Sequence, residues 1–291
     1  MKNSKRHHYI PQFYLRGFTN ENDEFYVFDK KTEQIRKGKP ENTFYEKYRN
    51  TGTIKEDKSL LLEEIYSHFD GKAAPYFEKL RNSTINDFVW EPEILYELKM
   101  FVSFMYWRVP EIDEEFEKTI DKLSFKESGF DFVDKKTKKS IATEKLRSQL
   151  KDVDLFRKMY RIFLPFITIQ KEYKKTDFEN WRIYFRGNKF QLTSDNPLVV
   201  EKFIDFSSLN NELFFPVTNN KILVHTKRPK PKDLPSMFIL DLDMLILQQA
   251  TRFVCCSDKF YLEYLVNNLY PYSKNFDFTD KMKERVFGHF K

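Results

Sequence analysis

Apolar residues recur at helical spacing most clearly from Glu91 to about Leu123, where Leu95, Leu98, Phe101, Val102, Met105 and Tyr106 fall on successive turns. Pro110 is expected to bend or break that helix. A second helical pattern runs from Asp57 to about Arg81 through Leu61, Ile65, Phe69, Ala73, Ala74, Phe77 and Leu80, with Gly71 weakening it and Pro75 kinking it. A third, from Glu144 to about Lys174, carries Leu150, Leu155, Met159, Ile162 and Phe163.

Shorter extended patterns flank this helical middle. Phe25–Lys31 and Gln34–Arg36 read as a hairpin, followed from about 37 to 56 by a loop that Phe44, Tyr45 and Tyr48 would pin down. Beyond 177, Trp181–Phe185 and Phe190–Thr193 flank Arg186-Gly187-Asn188 and predict a second hairpin. Leu213–Val217, Ile222–His225 and Arg252–Cys256 read as further strands, 241–251 as a helix, and 258–268 as a final helical segment. Strands, then long helices, then mostly strands predict a single α+β domain over 1–291. Its parts are an N-terminal motif and hairpin (1–56), a long-helix bundle (57–176) and a mostly antiparallel β region with short helices (177–291).

Composition sharpens this picture in three ways. The chain holds 31 Phe and 16 Tyr among 291 residues, enough apolar mass for a real core despite 32% charged residues. Only 7 Gly are present, and neither GxxxxGK[ST] nor GxGxxG occurs, which argues against a glycine-rich phosphate loop. The two cysteines are adjacent (Cys255, Cys256), too few for a cysteine zinc site and expected to be reduced and buried. With no signal sequence and no long apolar run, the expected location is the cytoplasm. The net charge of +6 permits an anionic partner without requiring one.

The densest candidate chemistry is His7-His8-Tyr9-Ile10-Pro11-Gln12-Phe13-Tyr14-Leu15-Arg16-Gly17-Phe18. In extended backbone the two imidazoles point to opposite faces, so they do not make a twin ligand; one can act while the other supports it, or both can be structural. Pro11 can open a helical turn that Gly17 ends, placing Gln12 and Arg16 on one face and Leu15 and Phe18 inward. Glu63 and Asp70, seven apart, share a helix face, where paired carboxylates hold a divalent ion or simply meet solvent. Arg108, in Trp107-Arg108-Val109-Pro110, can bind a phosphate or pair with Glu63 or Asp70. Thr193-Ser194-Asp195-Asn196-Pro197 ends a strand and opens a turn; Asp195 and Asn196 either build that turn or line a cleft. Basic clusters at Lys135–Lys139, Lys171–Lys175 and Lys227–Lys232 can track a nucleic-acid backbone or be plain solvated surface.

The opening motif resembles the N-terminal signature of the bacterial domain-of-unknown-function family 4238. Glu63 to Asp70, Arg108 with Pro110, Ser194-Asp195-Asn196-Pro197, Phe215-Pro216-Val217-Thr218 and Ala250 to Ser257 resemble its later elements in the same order. Asp70 stands where the family tends to have Glu, and the fourth element departs twice from Phe-Pro-Leu-Ser. The resemblance implies membership and no particular reaction.

Two expectations follow. In the first, the protein is a metal-dependent nuclease or phosphodiesterase linked to antiphage defence or toxin activity. Glu63, Asp70 and Asp195 would hold Mg or Mn, His7 or His8 would move protons, Arg108 would stabilise phosphate charge, and Gln12, Arg16 and Asn196 would line the site. In the second, it is a non-catalytic module that binds nucleic acid, a nucleotide or a protein, and the same residues form a buried polar network. An open cleft lined by His8, Asp70, Arg108 and Asp195 favours the first; a closed, mutually satisfied network favours the second.

Overall fold

The computed structural model describes residues 5–54, 56–84, 91–120, 133–142, 144–146, 148, 153–170, 179–187, 190–201, 212–229, 231–273 and 277–290. The architecture is α+β, with exclusively antiparallel pairing between its named strands.

The chain starts with β1 (Arg6–His8), paired with β4 (Tyr45–Lys47) so that His7 faces Glu46 and His8 faces Tyr45. Pro11, extended at φ −62° and ψ 140°, leads into α1 (Gln12–Leu15) and a 3-10 turn over Arg16–Phe18. Tyr14, Leu15 and Phe18 are fully buried. The Tyr14 hydroxyl donates to the Pro216 carbonyl (2.8 Å) and accepts from Thr193 Oγ1 (2.8 Å), while its ring stacks on Phe215 at 5.3 Å. The opening motif thus bridges the helical middle and the C-terminal strands.

The expected hairpin forms as β2 (Phe25–Asp29) and β3 (Gln34–Gly38). Of the aromatics expected to pin the following loop, Phe44 is buried, Tyr45 half-buried and Tyr48 exposed. The second helix begins later than the periodicity predicts. Residues 57–59 form β6 (Asp57–Ser59) against β5 (Gly52–Ile54), and α2 runs over Leu61–Asn82 straight through Pro75. A Cβ on Gly52 would stand only 3.0 Å from the backbone of Leu155, so this ribbon lies directly on the helix that begins at Asp154. The strongest helical pattern is α3 (Pro92–Arg108), buried at every position from Leu98 onward. Val109 is extended, as a residue before proline prefers, and a 3-10 turn at Pro110–Ile112 precedes α4 (Asp113–Ile120). The third long helix is α5 (Asp154–Gln170). Leu150 and Lys171–Lys175 lie outside the described residues.

One expectation is overturned. The stretch 181–193 is not a hairpin. β7 (Trp181–Phe185) pairs with β11 (Lys221–His225), whereas β8 (Thr193–Ser194) joins β12 (Phe253–Cys256) in the other sheet. The divergence has a visible cause. Buried Asp243 accepts from Gln191 Nε2, the Leu192 amide (3.1 Å) and the Tyr261 hydroxyl (2.7 Å), and Arg186 donates to both Gln191 and Asp243. A buried carboxylate is costly without such partners, and supplying them draws 190–192 away from β7.

The remaining elements are β9 (Val199–Val200), β10 (Leu213–Thr218) and α6 (Ser236–Gln249), which begins before the predicted 241. They are followed by α7 (Lys259–Tyr264), a π-helical turn (Leu265–Leu269), α8 (Tyr270–Ser273) and α9 (Phe278–Gly288). The last helix follows the segment expected to be final.

The two larger sheets run β3-β2-β12-β8 and β7-β11-β10-β9. Alternate residues serve two different cores. Val27, Phe215, Leu223 and Cys255 join the core of α1, α2, α3 and α5; Phe28, Phe214, Ile222 and Cys256 join the core around α6 and α9. Strands buried on both faces read as continuous apolar runs, which is the pattern of Leu213–Val217. Both cysteines are free and fully buried, and burial pushes their thiols up. Because β2 pairs with β12, the first and last parts of the chain share one sheet. Among the described residues, no helix is long and apolar enough to cross a membrane.

Candidate functional site

Alternation along β1 sends the two histidines apart, as extended backbone requires. His7 is fully buried, and its Nδ1 accepts from the Asn50 amide at 2.9 Å. That nitrogen serves as an acceptor and lies 3.7 Å from Glu63 Oε2. Asn50 makes the link, donating from its side chain to Glu63 Oε2 at 2.7 Å. His8, half-buried, donates from Nε2 to the Pro40 carbonyl (3.1 Å), and its Nδ1 accepts from Gln12 (3.4 Å).

Burial holds the His8 imidazole below its ordinary range, partly opposed by the Pro40 carbonyl. A lowered histidine is neutral in the fold where the unfolded ring starts to charge, so stability is lost as pH falls through the unfolded value near 6.5 toward the folded one. Imidazole NMR should place the His8 midpoint below 6.5, and His8→Gln should flatten this part of the acid limb of a stability–pH curve.

Arg108 ties the wall together. Its NH1 donates to both oxygens of Asp70 at 2.9 Å, its NH2 donates to the His8 carbonyl at 2.6 Å, and the guanidinium lies 4.5 Å from the Tyr66 ring centroid. Burial raises the Asp70 carboxyl, and Arg108 counters it. The Arg-x-Pro break explains a second feature. Pro110 ends α3 and leaves its last carbonyls outside the helical ladder, with only Val109 accepting from a backbone amide, that of Ile112 at 3.3 Å. Arginines take them: Arg161 at Trp107 and at Val109 (3.1 Å), Arg49 at Arg108 (3.1 Å). Cations at a helix C-terminus also oppose its negative dipole end.

Asp195 is differently placed. It is buried, with Oδ1 accepting from the Thr251 amide (2.9 Å) and Oδ2 from the Arg252 (2.7 Å) and Phe253 (2.8 Å) amides. Burial pushes its carboxyl up to about 6, against the pull of those three bonds. Asn196 and Gln249 bond each other's carbonyls at 3.3 and 2.6 Å. The Ser-Asp-Asn-Pro turn is therefore a latch on the α6–β12 connection. Burial and then the Asp195 charge raise the Tyr9 phenol.

The structure thus brings together His7, His8, Gln12, Glu63, Asp70 and Arg108, and sets Asp195 and Asn196 apart. Arg16 is exposed, 3.9 Å from Glu41, and faces another cavity. Each oxygen of Asp70 and of Asp195 already accepts a hydrogen bond. Among the described residues, no three His, Cys, Asp or Glu side chains gather closely enough to hold an ion.

Beside the network lies a cavity of about 170 Å³ lined by Arg49, Asn50, Tyr66, Arg108, Arg157, Lys158 and Arg161, with Asp113 and Glu117 as its carboxylates. Asp113 accepts from Arg49 (2.7 and 3.1 Å) and from Arg161. Burial works to raise its carboxyl; the two arginines outweigh it and hold it below the usual range. The lysine clusters drew attention in the sequence, yet Lys135, Lys136, Lys138 and Lys139 are simply exposed. The cavity's cations come instead from Arg157, Lys158 and Arg161 on one helix, Arg108 at the end of α3 and Arg49 beside Asn50. The cluster of Arg157, Lys158 and Arg161 on one helix, with Arg157 and Arg161 four residues apart, was the available signal.

No curated protein and no solved structure matches the chain. The residues that build the network and its latch all fall within 6–260, the span that matches the family model described as "Protein of unknown function (DUF4238)", and the chain belongs to that family.

Proposed function

We propose that the protein binds the phosphate groups of a nucleic acid at the arginine-lined cavity, and that the motif residues form a polar network holding its wall in place. The observation that carries this reading is the lining: among the described residues Arg49, Arg108, Arg157, Lys158 and Arg161 line the cavity with Asp113 and Glu117, Glu46 and Asp70 pair with Arg49 and Arg108 from outside it, and Arg157 and Lys158, which share Asp154, keep 37% and 36% of their side-chain surface open to a phosphate. Guanidinium groups suit phosphate because each offers five N–H donors in a planar fork. At about 170 Å³ the cavity is smaller than the roughly 300 Å³ at which typical small-molecule sites begin. A phosphate of a longer chain fits that size better than a whole nucleotide, and Tyr66 adds an aromatic wall.

The test is fluorescence anisotropy with labelled single-stranded DNA and RNA at several salt concentrations. Arg157→Ala and Lys158→Ala should each weaken binding severalfold and reduce the log–log salt slope by about 1. Parallel arms use mononucleotides, to separate monomer from polymer, and Mg²⁺ or Mn²⁺ with product analysis, to read out the hydrolytic alternative. Metal-dependent turnover lost in His8→Ala would replace the present reading with a nuclease. No binding at low salt, or binding indifferent to both substitutions, would overturn it.

A further inference from the structure

A second cavity, of about 650 Å³, lies at the other end of α2 and uses none of the residues of the arginine cavity. It falls within the size range of small-molecule sites. Three motif elements end on it: Arg16-Gly17 of the opening stretch, the Asn219-Asn220 turn after Phe215–Thr218, and Ser257 after the closing strand.

Its two rims carry opposite charge, for reasons visible in the backbone. Tyr26 pairs with Cys256, so the Asn20–Asp23 turn before β2 and Ser257-Asp258 after β12 meet on one side. That rim is acidic, through Glu21, Asp23 and Asp258. On the other side, the Asn219 amide donates to the Gly17 carbonyl at 2.7 Å, and Lys221 Nζ donates to the Arg81 carbonyl at 3.0 Å. These bonds bring the β10–β11 turn against Arg16 and Arg81, and that rim is basic. A Cβ on Gly17 would stand 3.1 Å from the Val217 carbonyl oxygen, so glycine permits this close approach. Between the rims lie side-chain amides and the half-buried ring of Phe190.

We propose that this cleft binds a small zwitterion of the free amino acid or short-peptide class. Its carboxylate lies on the Arg16–Arg81 rim and its ammonium on the Asp23–Asp258 rim, while Asn219 meets a peptide group and Phe190 an apolar side chain. An arginine fork matches a carboxylate, and an ammonium needs acceptors, which the acidic rim supplies. A simple anion would meet repulsion at the acidic rim, and a simple cation at the basic one.

The test is an NMR titration of the ¹⁵N-labelled full chain with glycylglycine, with a pool of free amino acids, and with N-acetylglycine N-methylamide, which has neither charged end. Glycylglycine or the pool should shift the amides of Gly17, Asn219 and Ser257, and the blocked compound should not. The ratio of the two responses assigns peptide or amino acid. Arg81→Gln and Asp23→Asn should each weaken binding about tenfold, equivalent to 1.4 kcal/mol, with unfolding midpoints unchanged. Asn tolerates the left-handed backbone of position 23, where φ is 54°. Shifts produced equally by the blocked compound, shifts insensitive to both substitutions, or no shifts with either zwitterion would overturn the proposal.

Discussion

Arg108→Met should cost about 3 kcal/mol or more in urea unfolding, and adding Asp70→Leu should return most of that loss. The argument is one of desolvation. Arg108 is 4% exposed, and Asp70 is packed beside it with both oxygens on the guanidinium. Removing one partner of a fully buried pair costs about 3–5 kcal/mol, whereas replacing both with apolar groups is often close to neutral; the Asp70 side chain keeps 24% of its surface exposed, which places this pair at the low end of that range. Recovery will be incomplete, because the His8 carbonyl also loses its 2.6 Å bond and Tyr66 its cation. The single variant should show a pH signature. Burial already raises the Asp70 carboxyl, and without Arg108 it rises further. A raised carboxylate lends stability that is present at low pH and lost as pH rises through the folded value, so the Arg108→Met deficit should grow from mildly acidic to neutral pH. A deficit that is flat with pH and unrelieved by Asp70→Leu would mean that Arg108 acts mainly through His8. Amide exchange at Arg6–His8 offers a separate check, since Arg108 anchors that strand.

Asp195→Ala should be comparably damaging, and its cost should depend on pH in a stated direction. The substitution strips the acceptors from the amides of Thr251, Arg252 and Phe253 at the start of β12. An unsatisfied buried donor costs about 1–3 kcal/mol; Phe253 is half-buried, whereas Thr251 and Arg252 are exposed and water can reach them, so a total loss of about 2 kcal/mol is expected at pH 8. The carboxyl is pushed up to about 6 from an ordinary 3.8. Its proton therefore favours the fold: that contribution is complete below about 3.8, fades as pH rises, and is gone above about 6. Wild type should exceed Asp195→Ala by about 2 kcal/mol more at pH 4.5 than at pH 8. A difference that shrinks on acidification would show that the three amide bonds outweigh burial and keep the carboxylate charged. Because this latch joins 193–198 to the α6–β12 connection, the loss should appear as weakened protection in both sheets, not as a local change at a ligand site.

These two carboxylates show how far a sequence can be read. Asp70 and Asp195 were candidate metal ligands on equal terms with Glu63, since each is an acid in a motif. What distinguishes them is who donates to them, and the donors lie 38 and 56–58 residues away in sequence. Local periodicity carries no information about such partners. It did carry the helices around Leu98 and Phe77, the break at Pro110 and the split of His7 from His8, because 3.6- and 2-residue repeats and the ring of proline act over a few bonds. It misled at 181–193, where Arg186-Gly187-Asn188 satisfied the rules for a hairpin turn. Asp243, more than fifty residues on, claims Gln191 and Leu192 instead.

The sequence by itself determined the α+β class, the long helices, the N-terminal hairpin and the burial of Leu15 and Phe18, since each follows from spacing and from the cost of exposing apolar surface. Only the tertiary structure decided that β2 pairs with β12 and that Arg108 belongs to Asp70. The same is true of the latch at Asp195 and of the arginines that converge around a cavity at the end of α3. Those outcomes depend on which distant groups arrive within hydrogen-bonding distance, and that is set by packing the whole chain at once.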